Sequence, residues 1–126
     1  MAVGQFTPQL RSTGDVDPYR FVSPSGVNQA AEGNAVTDIC VGITDGSNKA
    51  FDSNLHAESG DALRLQPGDL KRIEAGTSIT AGVRVMCDSD GTGATAATGN
   101  PFYGIAIQTA AIGDIFELFW LSGITP

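Results

Sequence analysis

Short apolar runs separated by clusters of Gly, Asp, Asn and Pro dominate the chain from residue 19 onward. Several runs alternate strictly; in one of them Val83 and Val85 flank Arg84. Because successive side chains on a strand point to opposite faces, this period of two predicts β-strands. Residues 28–32 are expected to form a single helical turn at most, and no longer segment has a helical apolar face. The pattern predicts an all-β chain, a compact β-barrel or β-sandwich of about seven to nine short strands. The apolar runs are residues 20–22, 36–44, 62–65, 70–73, 83–87, 102–108 and 115–121.

The first 18 residues differ from the rest, because they contain no periodic apolar face. Val3, Phe6 and Leu10 are too few to offset the entropy of ordering this segment alone. We therefore predict an extended N-terminal arm over residues 1–18 and a single β domain over residues 19–126. The arm is expected to order only on assembly, when Phe6 and Leu10 pack against a neighbouring subunit or a larger shell.

The two halves of the chain carry a weak internal repeat. Four blocks recur in the same order, although the spacing between them changes. This predicts a duplicated strand–turn–strand unit whose two copies build one barrel or sandwich. The paired blocks are residues 16–22 with 79–85, 29–34 with 95–100, 42–43 with 104–105, and 57–65 with 110–118.

Charge and composition narrow the classes of partner. Charged residues make up 17% of the chain, against about 25% in a typical domain, and the net charge is −7. Only two lysines are present, and no basic residue follows Arg84. Nucleic-acid binding and attachment to an anionic membrane are therefore disfavoured, since both need clustered basic residues. The chain has no apolar run long enough for a membrane helix, and its start is not expected to be a secretory signal.

No catalytic, cofactor or metal site is predicted, and we expect the protein not to be an enzyme. His56 is the only histidine and is expected to be an ordinary loop residue. Together with Cys40 and Cys87 it would give zinc only three ligands, without the paired spacing of zinc sites. The two cysteines are expected to be reduced and packed rather than joined.

Two glycine-containing segments resemble ligand-binding loops at first sight. Residues 88–91 open like a calcium loop, but position 12 of that loop is Gly99 instead of glutamate. Asp90-Gly91 is better explained as the positive-φ turn of a hairpin after residues 83–87. Residues 91–99 lack the lysine and the following helix of a phosphate-binding loop, and are expected to be a small-residue loop.

The segment of residues 115–121 is the most apolar of the chain and is predicted to be a core strand. Phe119 and Trp120 are adjacent and must point to opposite faces of that strand. One of them is expected to meet a partner subunit. Because small domains bury a modest share of their surface and closed symmetry is common, we predict a homotrimer with this strand near the three-fold contact.

The second half of the sequence resembles the small capsid decoration, or cement, proteins of tailed bacteriophages. The similarity covers residues 74–121 well and residues 16–65 loosely, through the repeat. It implies a β-rich domain, commonly a homotrimer, on the outer capsid surface at three-fold or quasi-three-fold positions. The motifs that carry it are Glu74-Ala-Gly-Thr-Ser-Ile-Thr-Ala-Gly-Val-Arg-Val85, Asp88-Ser-Asp-Gly91, Ala96-Ala-Thr-Gly99, Tyr103-Gly-Ile-Ala-Ile107 and Ala110-Ala-Ile-Gly-Asp114.

The sequence therefore leads to a structural protein of the virion, made in the host cytoplasm, that stabilises contacts between capsomers. Its expected partners are the major capsid protein and further copies of itself. An alternative is a virion-surface module that recognises a host glycan through Tyr19, Tyr103 or Trp120. A small hydrolase is disfavoured, because no nucleophile and base can be paired. The interface residues expected on these grounds are Phe6, Leu10, Phe119 and Trp120.

Overall fold

In the computed structural model, which describes residues 10–45 and 62–126, the chain forms nine β-strands and no helix within those ranges. The prediction of a compact all-β fold is confirmed. It follows that the described part of the chain has no helix of the length and apolarity needed to cross a membrane. The strands are β1 (Arg11–Ser12), β2 (Phe21–Gly26), β3 (Gln29–Glu32), β4 (Gly42–Ile43), β5 (Leu70–Glu74), β6 (Arg84–Cys87), β7 (Gly93–Thr95), β8 (Pro101–Ala106) and β9 (Ile115–Ile124).

The first half of the chain, residues 10–45 and 62–66, closes on itself. Its sheet has the order β1-β3-β2-β4, with β1 parallel to β3 and the other pairs antiparallel. The segment of residues 62–65 joins the two edges of this sheet. Leu65 forms a bridge with Thr44 next to β4, and Ala62 forms a bridge with Arg11 in β1. The result is a ring of five short segments.

The second half, residues 70–126, repeats the same ring with longer strands. Its sheet has the order β5-β9-β8-β6-β7, and all of these neighbours are antiparallel. A parallel bridge between Ala75 and Gly93 joins the end of β5 to β7. The two rings therefore have the same order of segments. Around the second ring the strands are β5, β7, β6, β8 and β9, and their counterparts in the first ring are β1, β3, β2, β4 and residues 62–65.

The pairing register confirms the duplicated unit that the sequence predicts. Val22 pairs with Gly42 in the first half, and Val85 pairs with Gly104 in the second. For the block of residues 29–34 the sequence alignment is wrong by three residues. Val22 also pairs with Glu32, whereas Val85 pairs with Thr95, so that Glu32, rather than Gln29, corresponds to Thr95.

The turn before β2 in the first ring is repeated before β6 in the second ring. Tyr19 (φ 59°) and Gly82 (φ 95°) occupy corresponding positions in the left-handed region. The Tyr19 amide donates to the Thr44 carbonyl at 3.1 Å, and the Gly82 amide donates to the Ala106 carbonyl at 2.7 Å. The same backbone turn is thus made with glycine in one copy and with a strained tyrosine in the other.

Each ring has an apolar interior, and the two interiors are unequal. The first is filled by four small or medium side chains, with Leu10 and Leu65 packed against them. The second is filled by larger residues and belongs to the main cluster, which also takes in Phe21, Cys40 and Ile43 from the first half. The two rings therefore share one core through those three residues. The first interior consists of Val16, Val22, Ala30 and Leu63.

The predicted boundary between arm and domain at residue 19 needs correction. The structure includes residues 10–18 in the first ring: β1 pairs with β3, and Val16 is completely buried. The amides of Arg11 and Thr13 donate to the Asn28 and Ala30 carbonyls, so the segment is held by backbone bonds despite its few apolar side chains. Residues 1–9 of the predicted arm lie outside the described residues.

Two segments assigned to turns or loops are strands. The predicted helical turn at residues 28–32 is instead β3, because β1 and β2 flank it on both sides and supply its hydrogen bonds. The small-residue loop at residues 91–99 contains β7. The hairpin that precedes it is confirmed, since Gly91 has a φ of 81° and the Asp88 amide donates to the Thr92 carbonyl.

Candidate interaction surface

An aromatic junction joins the two rings. Phe21 of β2 contacts the rings of Tyr103 and Trp120, with centroid separations of 5.5 and 6.3 Å, and those two rings stack at 5.8 Å. The Lys71 ammonium lies 5.5 Å from the Trp120 ring and donates to the carbonyls of Gln66 and Gly68. Burial lowers the pKa of Lys71. Trp120 is therefore partly buried against its own chain.

Tyr103 also ties a loop of the first half to this junction. Its hydroxyl donates to the Asp38 carbonyl and accepts from the Cys40 amide at 3.1 Å. Burial raises the pKa of the Tyr103 phenol, so the hydroxyl remains protonated and able to donate at neutral pH.

A second link between the halves is electrostatic and centres on Arg20. Its guanidinium lies 3.9 Å from Glu32 in the first half and 3.3 Å from Glu74 in the second. The same group donates to the Asp90 carbonyl at 3.1 Å and lies 3.5 Å from the Asp17 carboxylate. Only 13% of the Arg20 side chain is exposed, so removing this one partner costs more than breaking a surface ion pair.

The carboxyls around Arg20 are shifted in opposite directions. Burial raises the pKa of Glu32, although a hydrogen bond from the Asp17 amide and the charge of Arg20 oppose the shift. A hydrogen bond from the Thr92 hydroxyl lowers the pKa of Asp90. Burial thus disfavours the charged form of Glu32, and the nearby Arg20 guanidinium is one of the two groups that oppose this.

Replacing Arg20 with Met is expected to lower the free energy of unfolding by about 2 kcal/mol at pH 7, because Glu32 and Glu74 lose their partner. Without Arg20 the folded-state pKa of Glu32 rises further above its unfolded value. The folded variant then takes up a proton before the unfolded chain does, and regains stability as the pH falls through that raised pKa. Urea unfolding at pH 7 and pH 5 measures both effects. An equal loss at both pH values, or a loss as small as that of the exposed Arg72→Met control, would contradict the prediction.

Cys40 and Cys87 are free and buried, as predicted. A hydrogen bond with Cys40 and burial raise the pKa of Cys87, which leaves almost no reactive thiolate at neutral pH. We expect a thiol reagent to label neither cysteine in the folded protein and both after unfolding without reductant. Labelling before unfolding would contradict the burial, and two unreactive thiols after unfolding would reveal a disulfide.

The outer face of the second ring carries a row of mostly apolar side chains that residues 10–45 and 62–126 leave exposed. Leu70 pairs with Phe119, Phe119 with Ile105, and Ile105 with Arg84, so the four side chains cross four neighbouring strands on one face. We call this set the open row. Leu70 is 56% exposed and Phe119 44% exposed, and Leu121 and Ile107 lie exposed beside them. A contiguous strip of this kind, apolar except for Arg84 at one end, is typical of an interaction surface.

The four predicted interface residues have different positions. Phe6 lies outside the described residues. Leu10 packs against the interior of the first ring, so its side chain is used within the chain. Phe119 and Trp120 point to opposite faces as predicted; Phe119 belongs to the open row, whereas Trp120 lies in the aromatic junction. The sequence did not single out Leu70, Ile105 or Arg20.

Other candidate chemistry is limited in the residues described. His56 lies outside them, and within residues 10–45 and 62–126 no group of three or more His, Cys, Asp or Glu side chains could hold a metal ion. An open polar groove of about 360 Å³ lies beside Tyr19, Arg72 and Glu117. Of the three aromatic residues considered for glycan contact, Tyr103 and Trp120 are packed in the junction, which leaves Tyr19 in this groove.

Comparison with known proteins gives a match of structure only. No family model matches the chain, and no curated protein matches it. Among solved structures, the chain is similar to one described as the crystal structure of head fiber gp8.5 N base in bacteriophage phi29. The two chains are 19% identical, the match covers 90% of this chain and 91% of that one, and the TM-score is 0.67. At this identity the likeness shows that the two proteins share a fold.

Proposed function

We propose that this protein is a structural component of a phage head, and more specifically a decoration protein. It binds the outer surface of the capsid and stabilises contacts between capsomers, with the major capsid protein as its partner. The observation that carries the proposal is the shared fold over nine-tenths of both chains with a protein whose description places it in the head fiber of a phage. The motif resemblance in residues 74–121 supports the same function independently.

The physical properties of the chain suit such a function. Attachment to a capsid shell requires complementary surfaces that are repeated by symmetry. It does not require a catalytic site. The open row, with Leu70 and Phe119 exposed, offers an apolar contact on a rigid sheet for the association between copies that such symmetry requires. The net charge of −7 keeps the protein from competing for packaged DNA.

The test is association with capsids. When purified protein is added to heads that lack it, we expect saturable binding at a fixed ratio to the major capsid protein and a higher rupture temperature of the decorated heads. Binding to host glycans without any association with heads would contradict the proposal and support a receptor-binding module instead.

We further propose that the protein acts as a homotrimer with β9 near the contact. Light scattering of the isolated protein measures this directly, and a stable monomer at micromolar concentration would contradict it. The contribution proposed for Phe6 is tested by removing residues 2–9. Unchanged capsid occupancy and rupture temperature would show that this segment contributes nothing to attachment.

A further inference from the structure

The internal repeat reveals what kind of surface fits the open row. Phe119, Ile105 and Arg84 correspond, by their pairing, to Gln66, Ile43 and Phe21 of the first ring. We call these three residues the covered row, because Ile43 and Phe21 are completely buried. Equivalent positions of the repeated unit are thus buried in the first ring and exposed in the second.

The covered row is buried by the second ring, which uses a different part of its surface for the contact. Phe21 packs on Tyr103 and Trp120, and Cys87 belongs to the same cluster. These three residues lie at one end of the second ring: Cys87 is the last residue of β6, Trp120 follows the positions of β9 that pair with β5, and Tyr103 lies just outside the positions of β8 that pair with β6. The contact inside the chain is therefore heterologous: the row of one ring meets the end of the next.

The first ring has the corresponding end, which the part of the chain that the structure describes leaves exposed. Tyr103, Trp120 and Cys87 correspond to Val41, Pro67 and Pro24; Cys87 pairs with Gly93 as Pro24 pairs with Ala30. Val41 is 48% exposed, and both prolines are exposed. We call these three residues the first-ring end. One chain thus exposes, with different side chains, the positions that correspond to both sides of the contact between its own two rings.

We propose that the open row of one copy binds the first-ring end of a second copy, so that copies associate head to tail. This inference rests on the self-association proposed above and does not require attachment to a capsid. We choose a second copy of the protein as the binding partner for the following reason. Inside the chain, the end of the second ring covers the covered row, and the first-ring end is the counterpart of that covering surface in the repeat. A contact between two different patches closes into a ring if its rotation allows, and otherwise continues into a chain.

Two variants break the contact from opposite sides. Phe119→Lys places a charge in the open row, and Val41→Asp places one in the first-ring end. Each is expected to weaken self-association about thirtyfold or more, as for a central interface residue, without altering the circular dichroism spectrum. Ile112→Lys is the matched control, because Ile112 is 70% exposed in the turn before β9 and belongs to neither surface. This control is expected to associate like the parent.

Mixing the two variants distinguishes this contact from a symmetric one. Each variant keeps one intact surface, so the mixture is expected to form a heterodimer in analytical ultracentrifugation and nothing larger. If Val41→Asp assembles like the parent, or if the mixture stays monomeric, the inference is wrong. Should Phe119→Lys fail to fold, Leu70→Lys replaces it at the more exposed position of the same row.

All of these measurements are made without capsids. A parent protein that is monomeric yet binds heads overturns this inference and leaves the proposed attachment intact. A parent that associates head to tail but does not bind heads supports the inference and contradicts that attachment.

Discussion

Replacing Phe21 with alanine is expected to lower the free energy of unfolding by about 3–5 kcal/mol, the range for truncating a fully buried aromatic side chain. Phe21 is completely buried and contacts both Tyr103 and Trp120. Because Phe21 belongs to the first ring and its partners belong to the second, the cavity opens in the core that the two rings share. We expect unfolding to lose cooperativity as well, with the smaller first ring opening before the second.

Phe119→Ala is the matched control, since it removes the same side chain from an exposed position of the open row. At protein concentrations below self-association, its cost is expected to be below about 1 kcal/mol. Urea unfolding followed by Trp120 fluorescence reports on the junction, and amide hydrogen exchange reports on each ring. Equal losses in the two variants would show that the rings do not depend on Phe21.

Most strands of the second ring were predictable, because their apolar and polar positions alternate over the whole strand; β7 was not, since its small residues carry no such pattern. The runs at residues 70–73, 83–87 and 115–121 match β5, β6 and β9 closely. The first ring was harder to predict, since β1 and β4 are two residues long and residues 62–65 contribute only isolated bridges. Such short segments are specified by pairing across the ring, which leaves little local pattern in the sequence.

The repeat was predicted correctly where a strand pair has distinctive residues, as at Gly42-Ile43 and Gly104-Ile105. The predicted alignment was wrong at residues 29–34, because the dipeptides Ala-Ala and Gly-Asn occur in both units but at different structural positions. In residues 29–34 the dipeptides lie in β3 and just after it, whereas in residues 95–100 they follow β7. Matching identical residue types therefore aligned positions that are not structurally equivalent. The correct register follows from strand pairing, in which Glu32 lies opposite Val22 and Thr95 lies opposite Val85.

The candidate surface was predictable in part. A period of two requires Phe119 and Trp120 to point to opposite faces, but the direction of each depends on contacts distant in the chain. Trp120 points inward because it contacts Phe21, which lies almost one hundred residues earlier in the chain. Arg20 was missed for the same reason, since its partners Glu74 and Asp90 lie far along the chain.

Removing residues 2–14 is expected to prevent stable folding, although these residues lie wholly within the arm of residues 1–18 that the sequence placed outside the β domain. The deletion takes away β1, whose loss opens the first ring on two sides. Strand β3 loses its parallel partner, and residues 62–65 lose the bridge to Arg11 and the hydrogen bond from the Leu63 amide to the Leu10 carbonyl. The interior around Val16 is then left with an unpaired edge and without the side chain of Leu10.

The loss is expected to be larger than a domain of this size can sustain, since the whole free energy of folding is only about 5–15 kcal/mol. Circular dichroism and the dispersion of amide proton shifts measure it, and we expect the shortened chain to aggregate or to keep order only in the second ring. Removing residues 2–9 is the matched comparison, because that deletion keeps β1 together with Leu10. If the two shortened chains unfold at the same temperature, β1 does not close the first ring and the prediction is wrong.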